Sequence, residues 1–517
     1  MLNALWKRQS WRPGGFSLLF QSLSRRSPGH QVQIPPDILQ TLPPLLSPSS
    51  QILLPSDPSP SFTSYATRWT GSEGAPHFLA VILPTTESDI SAIVRYANAH
   101  SIPFLAISGQ HGAWFPLSEF SGIAISLKNL STRVKLVDGG KRAVIGGGAS
   151  IQEVIHILWS LGRKQTVTGG CECVGAIAPG LGGGHGMLQG QYGLPGDQWV
   201  SARVVLGNGT VVSVDDQKNK DLWWGLRGAG HNFGIVSEVK VKVYEPEVTK
   251  IGWSWEGFVF KGDKIEVVYA WLNGLMDGNG KKKQRQPKEL VVWSVWQVNK
   301  SVDPEKPVIS LMFFFNGPAE ELKKITKEVH NLGPATYNGG AVAEYPDLTT
   351  LMASRPQDPV CEKGNTNRAL RAADLISYEI PAMRKAYDTF SRRITSEPAF
   401  NNSVVLLEQY SVQAVQAVPP ENTAYAHRAQ RLLLGPNLWW PKGNATLDKQ
   451  AEDWTKDIWK ALSGTAQKRS YVNYAQGDED PKALYGYEPW RLQKLHALKK
   501  KYDPEGRFGY FGSVDGH

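Results

Sequence analysis

No run of eighteen apolar residues occurs anywhere in the 517-residue chain, which excludes an ordinary membrane-spanning helix. Long blocks of Lys or Arg are missing too, and the formal charge of +9 is modest for this length. That balance implies a basic surface or an attraction for anionic ligands, and argues against a nucleic-acid partner. The one dense run, Lys281 to Lys283 beside Gly278 and Gly280, reads as a solvated turn. Three cysteines cannot build a disulfide framework, and Cys171 and Cys173 are too close in sequence to pair without strain if the segment is extended. No frame around Gly180 to Gly186 gives the Gly-x-Gly-x-x-Gly of a dinucleotide fold, and a Gly-x-x-x-x-Gly-Lys-Ser/Thr phosphate loop is absent. A zinc site built from Cys171, Cys173 and His185 would lack the usual two-residue gap and a second ligand cluster, so no metal is expected. There is no internal repeat.

What is present describes a folded soluble protein. Apolar residues make up 41% and charged residues 20%, and the length calls for two or more lobes. Eighteen Trp, 17 Tyr and 17 Phe suit deep pockets and flat aromatic ligands. Residues 1–30 carry Lys7, Arg8, Arg12, Arg25 and Arg26 without an acid, the composition of a transit peptide. Residues 33–64 are rich in Pro and Ser and read as a poorly ordered lead-in, so that 1–64 stands apart from the globular part. Five Asn-x-Ser/Thr sequons, from Asn129 to Asn444, leave the compartment of a soluble protein open between secretion and an organelle.

Periodicity divides the remainder. A strand over 76–84, a helix over 85–100 and a strand over 103–107 run into a glycine turn, which is α/β organisation with a ligand-ready loop at a strand end. Strands near 123–127, 143–146 and 200–206 and a helix over 150–161 complete a first domain, 65–245. After Glu245 the strands become long and aromatic-rich (251–260, 290–298, 308–315, 403–412), with helices over 320–332 and 382–394. This predicts a second domain, 246–465, in which a sheet carries helices on one face. A separate tail, 466–517, is rich in Tyr, Lys and Gly.

The most informative stretch is Thr166 to Leu194, dense in glycine and flanked by apolar periodic sequence instead of linker residues. A backbone so free of side chains can approach a flat or anionic cofactor closely. Four separated motifs in order, covering about residues 65–517, give this a sharper meaning: Ser108-Gly-Gln-His-Gly112; Cys171-x-x-Val-Gly175 with Leu181-Gly-Gly-Gly-His-Gly186; Gly228-Ala-Gly-His-Asn-Phe-Gly-Ile-Val236; and Tyr471-Val-Asn-Tyr474 with Tyr485-Gly486 and Lys501-Tyr-Asp-Pro504. The chain resembles the vanillyl-alcohol oxidase type of FAD-linked oxidases with a PCMH-type FAD-binding domain, in the berberine-bridge-enzyme-like branch. The resemblance implies an α+β fold: a two-lobed FAD-binding domain, a substrate domain with an antiparallel sheet covered by helices on one face, and a C-terminal segment returning to the FAD domain.

It also implies roles. His111 would bond to the 8α-methyl of the flavin, its neutral imidazole being the attacking group, and Cys171 would bond to C6, with Cys173 as the rival thiol. Ser108, Gly109, Gln110 and Gly112 would shape the first loop, although Gln110 replaces the usual second glycine and Ile107 stands where many members carry arginine. Gly175, Gly180, Gly182, Gly183, Gly184, His185, Gly186, Gly230, Asn232, Gly234, Ile235, Val236, Asn473 and Tyr474 would complete the cofactor site. Val174 matches the residue that leaves the flavin open to oxygen. Gln416 falls where the founding branch has its glutamate base and cannot accept a proton. Tyr471 then becomes the leading catalytic candidate, either as base or as packing against the flavin, and Glu408 reads as a structural carboxylate. The implied activity is hydride removal, with loss of a proton, from an alcohol, an amine or an activated carbon of a small molecule. Electrons would pass to oxygen as hydrogen peroxide, in fungal small-molecule biosynthesis. Two other readings stand beside it: a carbohydrate oxidase whose groove uses Trp293, Trp296, Trp439 and Trp440, and a flavin carrier without catalysis, motivated by the missing base.

Overall fold

In the computed structural model, which describes residues 33–57, 61–71, 75–246, 252–277 and 286–516, the apolar runs of the first domain become two small sheets. The charged segment before residue 33 and the Lys281 to Lys283 run lie outside the described residues. Strands β1 (Gln51–Leu53), β2 (His77–Leu83), β3 (Phe104–Ile107) and β4 (Ser121–Ser126) form a sheet in the order β1-β2-β4-β3, parallel except for the edge strand β1. Helix α1 (Glu87–Ala99) starts at Thr86, whose hydroxyl accepts from the Asp89 backbone while the Asp89 carboxylate accepts from Thr86 N–H. Strands β5 (Val134–Val137), β6 (Arg142–Gly146), β7 (Trp199–Val205), β8 (Val211–Asp215) and β9 (Ile235–Lys242) make an antiparallel sheet in the order β5-β6-β9-β7-β8. Helix α2 (Ile151–Ser160) is capped in the same way by Ser150 and Glu153.

The second domain is one large antiparallel sheet. Its strands are β10 (Trp253–Phe260), β11 (Leu290–Gln297), β12 (Val308–Phe315), β13 (Thr336–Ala343), β14 (Thr366–Leu370), β15 (Ala373–Leu375), β16 (Val404–Tyr410) and β17 (Leu432–Pro441), ordered β13-β10-β12-β11-β16-β17-β14 with β15 also on β17. Period-two alternation decides what each face holds. Leu290, Val292 and Trp296 of β11 and Val405 and Leu407 of β16 point to helices α3 (Ile265–Asp277), α4 (Ile380–Ser396) and α5 (Ala445–Ser463). Val291 and Trp293 of β11, Phe314 of β12 and Tyr410 of β16 face the other way, onto Ile151, Val167 and Leu188 of the first domain. Glu408 shares that second face with Tyr410, two positions away on the same strand.

Several expectations need correction. Residues 33–57 of the expected lead-in are not loose: Ile38 and Leu42 are buried in the first domain's core, and β1 pairs with β2. Strand β17, which the expected strands do not include, carries Gly435-Pro436 within it. The proline has no N–H to give a ladder, and a Cβ at Gly435 would overlap the Arg371 carbonyl. In the tail, helix α6 (Pro489–Tyr502) and residues Val472 and Val514 pack on Trp223, Leu226 and Phe233 of the first domain, so the chain's end closes the domain in which it began.

The Asp89 carboxylate also accepts from Ser47 N–H at 2.7 Å, Ser47 Oγ at 2.9 Å and Ser50 Oγ at 3.0 Å, tying residues 33–57 to α1. Burial alone would push its pKa up, but the bonds from Ser47 and Thr86 hold it down at about 2. We expect Asp89→Ala to lower unfolding free energy by about 1–3 kcal/mol in denaturant melts and to open residues 33–57 to limited proteolysis. Since the depressed pKa is the source, the wild-type advantage should vanish as pH falls from about 4 towards 2. An unchanged denaturation midpoint would show that this cap does not hold the segment.

Candidate active site

The loop after β3 and the loop before residue 176 meet because neither has a side chain at the meeting point. A Cβ on Gly109 would collide with Gly175 N, and one on Gly175 would lie 2.5 Å from Ser108 Oγ. Gln110 occupies the left-handed region at φ 55, held there by its side-chain amide donating to the Tyr65 carbonyl at 2.6 Å. The turn delivers His111 against Trp69, with ring centroids 4.5 Å apart. Its Nε2 lies 3.2 Å from the Val360 carbonyl, which also accepts from Trp69 Nε1, and 3.9 Å from Cys171 Sγ. Burial and the nearby cation of Lys363 push His111 down to about 3, so its imidazole is neutral. Cys171 is a thiol pushed up to about 12, chiefly by burial.

Cys173 is not a rival thiol, because it forms a disulfide with Cys361 of the second domain. Residues 171–174 make a turn, with Val174 N–H donating to the Cys171 carbonyl at 3.2 Å, so the three sulfurs gather: Cys171 Sγ is 3.4 Å from that of Cys173 and 3.6 Å from that of Cys361. The segment around Cys361 is pinned across the His111 loop. Lys363 Nζ donates to the Gly109 carbonyl at 2.6 Å, and the buried Arg368 guanidinium donates to the carbonyls of Trp69, Pro359 and Glu362. The half-buried Val174 lies beside this corner, its carbonyl carbon 3.0 Å from a Cβ placed on Gly109.

Adjoining it is a group of carboxylates and phenols. Glu408, 2% exposed, accepts from Tyr410 Oη at 2.5 Å and from Tyr474 Oη at 3.2 Å. Burial pushes it up, against the pull of those two bonds, to about 7. Burial, with added repulsion from Glu408, Tyr471 and Cys171, raises Tyr474 well above a phenol's ordinary range. Tyr471 accepts from Asn473 Nδ2 at 2.7 Å and is raised above the ordinary range mainly by burial. His185 is caged by Tyr410, stacked at 5.4 Å, and Tyr471, edge-on at 4.8 Å, and its Nε2 accepts from Tyr425 Oη at 3.2 Å. A second acid, Asp374, pairs with Leu433 of β17 from one side as Glu408 does from the other. Neither Asp374 oxygen has a hydrogen-bond partner among the described residues, and burial raises it to about 8 despite Arg469, with Glu408 adding repulsion. His427 Nε2 lies 3.9 Å from Asp374 but is pushed down to about 3 by burial and donates to the Leu484 carbonyl, so the two are neutral neighbours and not an ion pair.

Other predicted site residues do different work. Gly180 makes room for the Trp199 ring, Gly182 for Val472 and Asn473, Gly183 for the Tyr425 ring, Gly184 for Pro195 and Gly186 for the Thr168 carbonyl. Gly230 and Gly234 clear Leu181 and Val204. These glycines admit protein side chains and backbone, a cause the sequence could not separate from a close cofactor. Ile235 and Val236 are buried core residues of β9. Asn232 spends its amide on the Ala229 and Gly512 carbonyls and on Val514 N–H, locking the tail. Asn473 bridges His231 Nε2 at 2.9 Å, the Pro179 carbonyl and Tyr471. Gln416 is exposed on a short helix, away from Glu408. Glu408, which reads as a structural carboxylate in sequence, stands inside this group of phenols with a raised pKa. The available signal was an acid at alternate spacing with Tyr410 in an otherwise apolar strand.

The donor set fits a flavin. A neutral imidazole and a thiol stand side by side, Gly112 has only the Phe511 ring within reach of a Cβ, and buried cations Arg68 and Lys363 flank the loop, where an anionic group would be drawn. A family model described as an FAD binding domain matches residues 78–215. The FAD-linked oxidoreductase chyH of Penicillium rubens is 39% identical over 473 residues, covering 91% of this chain and 92% of that protein. The solved BBE-like 1 of Physcomitrella patens superposes with a TM-score of 0.76 at 19% identity, over 92% of this chain and 98% of its own. Acremonium strictum glucooligosaccharide oxidase, described with a 6-S-cysteinyl, 8α-N1-histidyl FAD, gives 0.74 at 21% identity, over 90% and 96%.

The raised carboxyls make a stability prediction. Glu408 and Asp374 hold protons in the folded chain up to about 7 and 8 but only to 4.5 and 3.8 as free groups, so the folded state binds more protons between these limits. Their contribution is therefore full below about pH 4 and lost as pH rises towards 8. We expect the melting temperature of the Glu408→Gln/Asp374→Asn double variant, relative to wild type, to improve steadily across that window. A pH-independent difference would refute the raised pKa values.

Proposed function

The chain belongs to the FAD-linked oxidoreductases, and from that premise we propose that it is an oxidase acting on a small organic molecule, with FAD linked through His111 and Cys171. FAD, when bound, accepts a hydride from the substrate and passes the electron pair to oxygen, giving hydrogen peroxide. The observation that carries the catalytic reading is Glu408 held between Tyr410 and Tyr474 beside the His111 and Cys171 corner. A carboxyl titrating near 7 is matched to accepting a proton at neutral pH, whereas a buried phenol is not. We therefore assign Glu408 as the proton acceptor, receiving the substrate proton through the Tyr474 hydroxyl, and Tyr471 as the ring that packs in the site. This replaces a Tyr471 base with a two-residue one. The neutral His111 supports the linkage to the 8α-methyl, and Cys171, the single free thiol among the described residues, supports the linkage to C6. Val174 beside Gly109 supports oxygen access.

The carbohydrate reading loses support. Trp296 and Trp440 are buried under the helices, Trp439 is covered by Arg368 at 4.3 Å, and Trp293 is half-buried against the first domain. The carrier reading loses its motive once Glu408 supplies a base. A role in fungal small-molecule biosynthesis, which the resemblance of the motifs implies, stays part of the proposal.

Two experiments test the reading. In acid precipitation, yellow colour should stay with the wild-type pellet and wash out only from the His111→Ala/Cys171→Ala double variant; colour lost from the wild type would refute both linkages. With a substrate found by screening alcohols, amines and aromatic compounds for peroxide release, anaerobic flavin bleaching should rise with pH to a plateau above about 7. Glu408→Gln should slow bleaching by about 10²–10⁴-fold while leaving the protein yellow. Wild-type bleaching rates in that variant would remove Glu408 from the chemistry.

A further inference from the structure

Three sulfurs and an imidazole at one corner are more than a flavin linkage requires. Cys171 would bond the flavin and Cys173 would be consumed by Cys361, yet His111, Cys171, Cys173 and Cys361 present ligand atoms that all lie within 4.8 Å of one another. A tetrahedral zinc with Zn–S bonds of about 2.3 Å has sulfur–sulfur edges of about 3.8 Å and nitrogen–sulfur edges of about 3.6 Å. The Cys171 to Cys173, Cys171 to Cys361 and His111 to Cys171 separations of 3.4, 3.6 and 3.9 Å are close to those edges. Of these four separations the one that departs from this shape is the Cys173–Cys361 bond itself, and the two other His111 to sulfur separations lie within 4.8 Å.

We propose that, once this disulfide is reduced, the four residues close around a single zinc ion as a Cys₃His site, and that this ion and a flavin linked to His111 and Cys171 exclude one another. The second clause rests on the linkage reading above. A dithiol supplies two electrons and two protons, becoming a disulfide as Cys173 and Cys361 become thiols. Zinc then displaces one proton from each of three thiols. His111 is already neutral, so it binds through Nε2 by moving its ring proton to Nδ1 and giving up its contact with the Val360 carbonyl. Sulfur-rich donors at this spacing favour zinc over oxygen-seeking cations. In a reducing compartment the thiol form is the ordinary state of a newly made chain, so the site would exist before the flavin is linked and before the second domain is bolted to the first.

The test uses the full chain made flavin-free by limiting riboflavin, in its phosphine-reduced and its oxidised states, titrated with Co²⁺ as the spectroscopic probe. The reduced chain should show thiolate-to-cobalt charge transfer and tetrahedral d–d absorption that saturates at one ion per chain and disappears on adding Zn²⁺. The oxidised chain, identical in sequence and folded, should show neither. Cys361→Ser and His111→Ala should each weaken binding about tenfold or more. Absent thiolate bands in the reduced chain, equal binding by the oxidised chain, or wild-type affinity in Cys361→Ser would each overturn the site. For exclusion, the zinc-loaded reduced chain incubated with FAD should give no acid-stable yellow until EDTA is added. Yellow forming equally fast with zinc present overturns exclusion. If no acid-stable yellow forms even without zinc, the exclusion clause falls together with the flavin linkage, while the cobalt titration still decides the ion site.

Discussion

The face of the large sheet that its helices leave bare is the constraint on which the rest of the molecule depends. Strands β11, β12 and β16 are apolar on both sides, and an aromatic-rich face carrying Val291, Trp293, Phe314 and Tyr410 must be removed from water. The first domain provides the cover through Ile151, Val167, Met187 and Leu188. The candidate active site is formed in this contact, so its polar groups are buried by the same packing that joins the domains. Arg428, paired with Asp197 at 2.8 Å across the contact, and Arg371, held by the buried Glu479 and the half-exposed Asp478 of the tail, fix its register.

Burial also sets the chemistry. His111, His185 and His231 are all pushed down by desolvation, so the imidazoles in this region are uncharged at neutral pH. The same cause acts in the opposite direction on Glu408 and Asp374, holding their protons on longer. Uncharged imidazoles and two carboxyls raised towards neutrality therefore stand beside the cations Arg68, Lys363 and Arg368 of the His111 corner.

The Cys173–Cys361 bond spans 188 residues and joins the two domains at the corner that holds His111. In the chain-entropy account a loop of that length contributes up to about 5 kcal/mol. Its position has a second consequence: the segment carrying Val360 and Lys363 lies over the His111 loop, so anything bound there is enclosed by the second domain as well as the first.

Local sequence determined the elements whose signals are local. Helices α1 and α2 carry their capping residues in sequence, β2, β3, β11 and β12 are marked by apolar runs, and the ordered motifs identified an FAD-linked oxidase fold. Those motifs also picked out His111 and Cys171, because a loop and its reactive residue travel together in sequence. Tertiary structure alone decided which contacts use the glycines, since a missing side chain looks the same whether a cofactor or the Tyr425 ring fills the space. It decided that Cys173 pairs with a residue 188 positions away, which no local spacing encodes. It also decided which residue of this stretch stands at the candidate site: in sequence Glu408 reads as structural and Gln416, eight positions on, as the aligned position. What separates them is that β16 runs between β11 and β17 with Glu408 on the buried side, while Gln416 lies past its end in water.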